Sequence, residues 1–155
     1  MFGQTLLFLL STISLSLACK CATASLKDSY CAADWVSHLK VNFRASKQPQ
    51  PGSSDRKGLN NLRYAVDHVH VYKKPANLTS LPTEIYTPSE SAACGIIVDV
   101  GQEYLLAGRV QNGVLTTVTC GQMRTKDIVS RADEGLQWSD VPPTVDAQLK
   151  TFACT

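Results

Sequence analysis

The chain has 155 residues, enough for one domain with a real hydrophobic core. Its formal charge of +2 and 18% charged residues imply no polyelectrolyte partner, so neither nucleic acid nor a membrane surface is expected to bind it.

Met1–Ala18 carries no charged residue and holds the apolar run Leu6-Leu7-Phe8-Leu9-Leu10 in a stretch interrupted by serines. A bilayer-spanning helix needs about 20 apolar residues, and this one is shorter and broken. Ser16 and Ala18 stand where a signal peptidase accepts small residues, although the usual basic n-region is missing. The expectation is a cleaved secretory signal over residues 1–18 and an extracellular domain over residues 19–155, of 155 − 18 = 137 residues. A lipid-anchored Cys19 would leave an odd number of cysteines in an oxidising compartment, which disfavours it.

The mature chain then opens on Cys19-Lys20-Cys21, and all six cysteines (Cys19, Cys21, Cys31, Cys94, Cys120, Cys154) lie beyond the cleavage point. An even count behind a secretory signal reads as three disulfides, whose connectivity the spacing leaves open. Three cysteines crowd the new terminus and three are spread to the penultimate position, so the N-terminal segment is expected to be stitched to distant parts of the fold. Closing such long loops is worth on the order of 3–5 kcal/mol each. Structural zinc is the alternative, but no CxxC or similar close-paired spacing is present.

Asp28–Ala33 predicts one or two helical turns capped by Asp28 or Ser29. Trp35–Phe43 alternates Trp35, Leu39, Val41 and Phe43 with His38, Lys40 and Asn42, which predicts a strand with one solvated face. Ala45–Gly58, rich in Ser, Pro, Gln and charge, reads as a loop. Leu62–Lys73 is the longest predicted strand. Its inward set changes parity from Tyr64 and Val66 to Val69 and Val71, as a β-bulge would produce. Lys74-Pro75 ends it, and Asn77-Leu78-Thr79 is an N-glycosylation sequon in the following turn.

Glu84–Thr87 predicts a short strand, and Gly95–Val100 with Glu103–Val110 a hairpin around Gly101-Gln102. Asn112-Gly113 is a strong turn signal into Val114–Cys120. Thr125–Arg131 and Thr144–Phe152 predict helices, the second after Pro142-Pro143. The fold class is therefore mainly β with flanking helices, a small closed β-barrel such as an OB-fold.

Enzyme chemistry is not signalled. GxSxG, HExxH, P-loop and GxGxxG patterns are all missing, and disulfide-committed cysteines leave no thiol nucleophile. His68-Val69-His70 has a metal-ligand spacing without a third ligand nearby, so two histidines on a solvated face are expected. Asp99 and Glu103 read as ordinary turn-flanking carboxylates.

The residues do resemble a family. Cys19-x-Cys21, then Cys31-Ala32-Ala33-Asp34, is similar to the N-terminus of the tissue inhibitors of metalloproteinases. The likeness continues through Tyr86-Thr87-Pro88, Ser91-Ala92-Ala93-Cys94-Gly95, Val98-Asp99-Val100-Gly101 and Glu103-Tyr104-Leu105-Leu106-Ala107-Gly108. The resemblance implies a netrin-like OB-fold domain with disulfides Cys19–Cys94, Cys21–Cys120 and Cys31–Cys154. Vertebrate members carry a second six-cysteine subdomain; this chain resembles the single-domain form, so functions such as proenzyme docking are expected to be absent.

It also implies a secreted inhibitor of zinc metalloendopeptidases, a matrix metalloproteinase or a relative of one. The protein would hold no cofactor of its own and share the zinc of its partner protease, chelated by the α-amine and carbonyl oxygen of Cys19. Lys20 would enter the S1′ pocket. Lys20, Cys21, Ala22 and Thr23 would lie in the cleft, with Ser91, Ala92 and Ala93 packed beside them. A monomer is expected, with extracellular matrix as a further partner. One departure stands out: family members usually carry a small Ser or Thr where this chain has Lys20. Burying an unpaired ammonium in an apolar pocket costs several kcal/mol, so Lys20 favours a protease with an acidic or open pocket floor. The alternative is a non-inhibitory netrin-like module that binds matrix, glycosaminoglycan or a signalling protein.

Overall fold

The computed structural model describes residues 19, 21–46, 61–90, 93–124 and 134–155. The expected signal peptide, residues 47–60 of the loop region and the predicted helix Thr125–Arg131 lie outside the described residues. The chain enters the fold through helix α1 (Leu26–Ala32). Its cap is Ser25, not Asp28 or Ser29. The Ser25 Oγ accepts the Asp28 N–H at 3.0 Å and donates to the Asp28 carboxylate at 2.6 Å. Asp28 thus sits at the third helical position, where its carboxylate answers the cap, and the helix begins earlier for that reason.

Strands β1 (Trp35–Ala45), β2 (Leu62–Lys73), β3 (Glu84–Thr87), β4 (Glu103–Gln111) and β5 (Val114–Thr116) follow in chain order. They pair in the order β1-β2-β3-β5-β4, and β4 returns to β1 to close a five-stranded barrel. All pairings are antiparallel except β3 with β5. A two-residue strand β6 (Leu136–Gln137) adds to β4, and helix α2 (Pro143–Leu149) closes the described chain. This is the closed OB-type barrel that the strand pattern predicts. Among the described residues no helix is long and apolar enough to cross a membrane.

Trp35, Leu39, Val41, Leu62, Tyr64, Val66, Ile85, Leu106 and Leu115 fill the barrel. A second apolar cluster lies outside it, where Val36, Leu105 and Ala107 meet Tyr30 of α1, Met123, Leu136 and Val145 and Leu149 of α2. β1 and β4 are therefore buried on both faces along residues 35–39 and 104–108. The expected solvated face of β1 begins only at Lys40 and Asn42. His38 is 7% exposed, stacked on Trp138 at 3.7 Å with its Nε2 2.6 Å from the Glu103 carboxylate. A polar residue at a predicted outward position is buried because a distant segment covers it while the adjacent strand β4 supplies its partner.

The predicted bulge in β2 is present. Leu39 pairs with His68 and His38 with His70, leaving Val69 as the extra residue. Val71 then packs on the barrel core as expected, whereas Val69 points outward and is 55% exposed. The Asn112-Gly113 hairpin turn also forms, with positive φ at both residues (51° and 77°), as its type demands. The strand after it is shorter than expected, ending at Thr116 before a 3-10 turn at Thr119–Gly121.

The hairpin expected around Gly101-Gln102 does not form. Among the described residues, 95–100 form no ladder with β4; Ile96 and Val98 are buried, and one isolated bridge joins Ile97 to Glu134. The Val98 and Asp99 N–H groups donate to the hydroxyls of Tyr64 (3.2 Å) and Tyr104 (3.0 Å). The turn pairs with β1 through Gly101 N–H to Val41 O at 2.7 Å and Val41 N–H to Gln102 O at 3.0 Å. These partners take the backbone groups a hairpin would need.

Candidate functional site

Two disulfides place the N-terminal segment between two arms of the barrel. Cys19 joins Cys94 and Cys21 joins Cys120, with Cα separations of 5.7 and 5.0 Å. The third, Cys31–Cys154, ties α1 to the C-terminal tail. These are the pairs the resemblance implies. Beyond Cys21, residues 22–25 run exposed until Ser25 caps α1. Ala22, Thr23 and Ala24 make no hydrogen bond among the described residues. Ala22 and Ala24 flank a hollow of about 700 Å³ whose other walls include Pro88, Ala93, Gly108, Thr117 and Val118. The result is an extended strap, fixed at both ends, with unpaired backbone donors and acceptors. Such a segment is a ready template for pairing with another chain.

The Cys94 arm is held from several sides. Cys94 has φ 62°, a left-handed conformation rare outside glycine, so its surroundings must impose it. The Thr119 N–H donates to Cys94 O at 2.9 Å, and the Thr119 hydroxyl lies 3.1 and 3.2 Å from the Cys94 and Gly95 carbonyl oxygens. On the other side the Ala93 and Gly95 N–H groups both donate to Glu90 O, and the Ile96 N–H donates to Thr87 Oγ1 at 3.0 Å. Gly95 is required sterically: a Cβ there would stand 1.8 Å from Pro88 O. Ser89 N–H donates to Asn61 Oδ1, which ties the arm to the start of β2.

Gln122 organises the Cys120 arm. Its side chain is buried, with Oε1 accepting the Ala107 N–H at 3.1 Å. Its Nε2 lies 2.8–2.9 Å from Ala107 O, Thr117 Oγ1 and Val118 O. This one amide locks the residues leading into Cys120 to β4. Sequence reasoning missed Thr119, Gln122 and Thr87, because polar residues of these types are mostly surface residues. Gly95 beside Cys94 was the one local cue to a close backbone approach.

Of the residues expected at the site, Cys19 and Cys21 are bonded to the two arms, Ala22 and Ala93 line the same hollow, and Thr23 is exposed beside them in the chain; Lys20, Ser91 and Ala92 lie outside the described residues. The two histidines of β2 are not both on a solvated face. The bulge turns His68 inward and leaves His70 exposed. The His68 Nε2 is 2.9 Å from Pro82 O and its Nδ1 2.9 Å from Ser37 Oγ, a neutral imidazole donating to the carbonyl and accepting from the hydroxyl. Burial pushes its pKa below the ordinary value. No group of three or more His, Cys, Asp or Glu side chains among the described residues is placed to hold a metal ion.

The described residues thus present a disulfide-bracketed segment on a closed barrel, with Ala22–Ala24 making no hydrogen bond among the described residues. The chain belongs to the tissue inhibitor of metalloproteinase family, whose model matches residues 17–137. It is 51% identical over 152 residues to the Caenorhabditis elegans "Putative metalloproteinase inhibitor tag-225", covering 97% of this chain and 96% of that one. It is 30% identical over 98 residues to human metalloproteinase inhibitor 2, a match of 61% of this chain and 42% of the human protein, and 29% identical over 108 residues to the Canis lupus familiaris protein of the same name. The match thus spans under half the length of these mammalian relatives. The family is one of metalloproteinase inhibitors, not enzymes; its partners are metalloproteinases and its members are generally extracellular.

Proposed function

We propose that the protein is secreted, cleaved after Ala18, and inhibits zinc metalloendopeptidases by laying its strap in the active-site cleft. The observation that carries this reading is the pair of disulfides that brackets residues 19–21 between the Cys94 and Cys120 arms and leaves Ala22–Ala24 with unpaired backbone. A catalytic zinc keeps one coordination position open for the attacking water. In the mature protein the uncharged α-amine and the carbonyl oxygen of Cys19 together displace that water. An α-amine ordinarily titrates at about 7.7–8.0, so part of it is already unprotonated at neutral pH, and the metal draws off the remaining proton. The zinc is the protease's own. Because the disulfides hold the chelate in place, little conformational entropy is lost on docking. Lys20 enters the S1′ pocket, and residues 91–93 pack beside the strap.

N-terminal sequencing of secreted protein tests the premise: a start anywhere but Cys19, or a blocked amine, sinks the chelation. Adding one alanine before Cys19 should abolish inhibition across a metalloproteinase panel. Undiminished inhibition would exclude the amine as zinc ligand, and retention on matrix without any inhibition would favour the binding-module alternative. Replacing Lys20 by Ser should tighten binding to proteases with apolar S1′ pockets, since the cost of burying an ammonium disappears. Unchanged or weaker binding would refute that argument.

A further inference from the structure

We propose that Asn77 carries an N-linked glycan, placed at the end of β2 remote from the Cys94 arm. The sequon alone marks many sites that are never used; here the local structure adds three facts. Asn77 and Thr79 are both exposed, while Leu78 between them is partly buried against the barrel core. The buried leucine anchors the turn and aims the two sequon residues at solvent. The turn is also closed independently, by the Leu78 N–H donating to Pro75 O at 3.1 Å and by Lys74 Nζ donating to Leu78 O at 2.5 Å. Finally, neither the Asn77 amide nor the Thr79 hydroxyl makes a hydrogen bond among the described residues, so no internal contact is lost on modification.

In the transfer, Asn77 Nδ2 forms a C–N bond to the anomeric carbon of a lipid-pyrophosphate-linked oligosaccharide. The C–O bond to the pyrophosphate breaks, the lipid pyrophosphate leaves with the electron pair, and the displaced amide proton passes to a base of the transferase.

Topology keeps this glycan away from the Cys94 arm. β2 starts at Leu62, paired with Thr87 and adjoining the arm that Asn61 ties down. It runs twelve residues to Lys73, on the order of 30 Å of strand even when curled. Asn77 follows that far end by 77 − 73 = 4 residues. A glycan there stands off the end of β2 opposite the Cys94 arm.

The inference rests on the proposed secretion, and the test separates the two. The full chain with its own leader, and the same chain with residues 1–18 replaced by an unrelated secretory leader, are expressed in eukaryotic cells. Protein is recovered from medium and cells and treated with peptide-N-glycosidase. The expected result is a mass decrease on treatment, absent in Asn77→Gln and in Thr79→Ala and kept in Thr79→Ser. Protein secreted behind the unrelated leader at its bare polypeptide mass overturns the glycan. Failure of only the native leader to deliver glycosylated protein overturns the secretion reading and leaves the glycan supported. Inhibition of a metalloproteinase should be unchanged when the glycan is removed; a gain on removal would overturn its placement away from the Cys94 arm.

Discussion

Replacing Gly95 by Ala is the most direct test of how the Cys94 arm is held. A Cβ built at this position stands 1.8 Å from Pro88 O and 2.8 Å from Pro88 C, and both are backbone atoms that no rotamer change can move. Real Cβ contacts do not fall below 3.0 Å, so the two backbones must part by at least 3.0 − 1.8 = 1.2 Å. That displacement stretches the Ile96 N–H to Thr87 Oγ1 bond from 3.0 Å beyond bonding range and strains the Thr119 contacts to Cys94 and Gly95. Losing two or three such buried bonds costs about 2–4 kcal/mol, since each is worth roughly 1 kcal/mol net. For a chain of this size that lowers Tm by roughly 10 °C. The adjoining Cys94 moves with Gly95 and carries Cys19 with it, so inhibition should fall by on the order of a hundredfold, as expected for a misplacement of about 1 Å. Gly121→Ala is the matched control: its new Cβ meets only Val118 Cγ2, at 4.0 Å, on the other arm. Thermal unfolding and inhibition assays on the two variants decide the matter. A Gly95→Ala protein with the Tm and inhibition of Gly121→Ala would refute the reasoning.

Three further outcomes are expected. Thr119→Val removes the hydroxyl bonds to Cys94 O and Gly95 O but keeps the backbone bond, and should cost about 1 kcal/mol of stability together with weaker inhibition, both restored by Thr119→Ser; a Val variant indistinguishable from wild type in both assays would show that the hydroxyl holds nothing. Lys73→Met strips the ammonium that donates to the carbonyls of Tyr30, Cys31 and Ala33 at the end of α1, and should cost about 1–2 kcal/mol and speed amide exchange at residues 26–33; unchanged exchange there would refute the clamp. For His68, burial lowers the folded-state pKa below the unfolded value of 6.5, so the unfolded chain binds the proton first as pH falls. Its contribution is therefore fully present above pH 6.5 and is lost as pH falls from there through the folded pKa. His68→Gln should flatten the decline in Tm between neutral and acidic pH, and an unaltered slope would contradict the assignment.

What the sequence determined by itself was whatever depends on neighbours in the chain. The parity break in β2 announced a bulge, although Val69, expected inward, is its exposed extra residue; Asn112-Gly113 announced a turn with two positive φ angles, and Pro142-Pro143 announced the start of α2 within a residue. Cys19 and Cys21 likewise announced a segment stitched to distant parts of the fold, because their crowding is visible in one dimension. The tertiary structure decided the rest, because burial depends on what arrives from elsewhere. His38 sits on the predicted solvent face of β1 and is buried because Trp138 covers it and Glu103 reaches it from the neighbouring strand β4. Residues 95–100 have strand composition but yield their backbone groups to the hydroxyls of Thr87, Tyr64 and Tyr104. At the site, cysteine spacing announced the strap, but not that Thr119 and Gln122 hold its two arms. Those are ordinary polar residues until the folded chain puts the carbonyls of Cys94, Ala107 and Val118 within their reach.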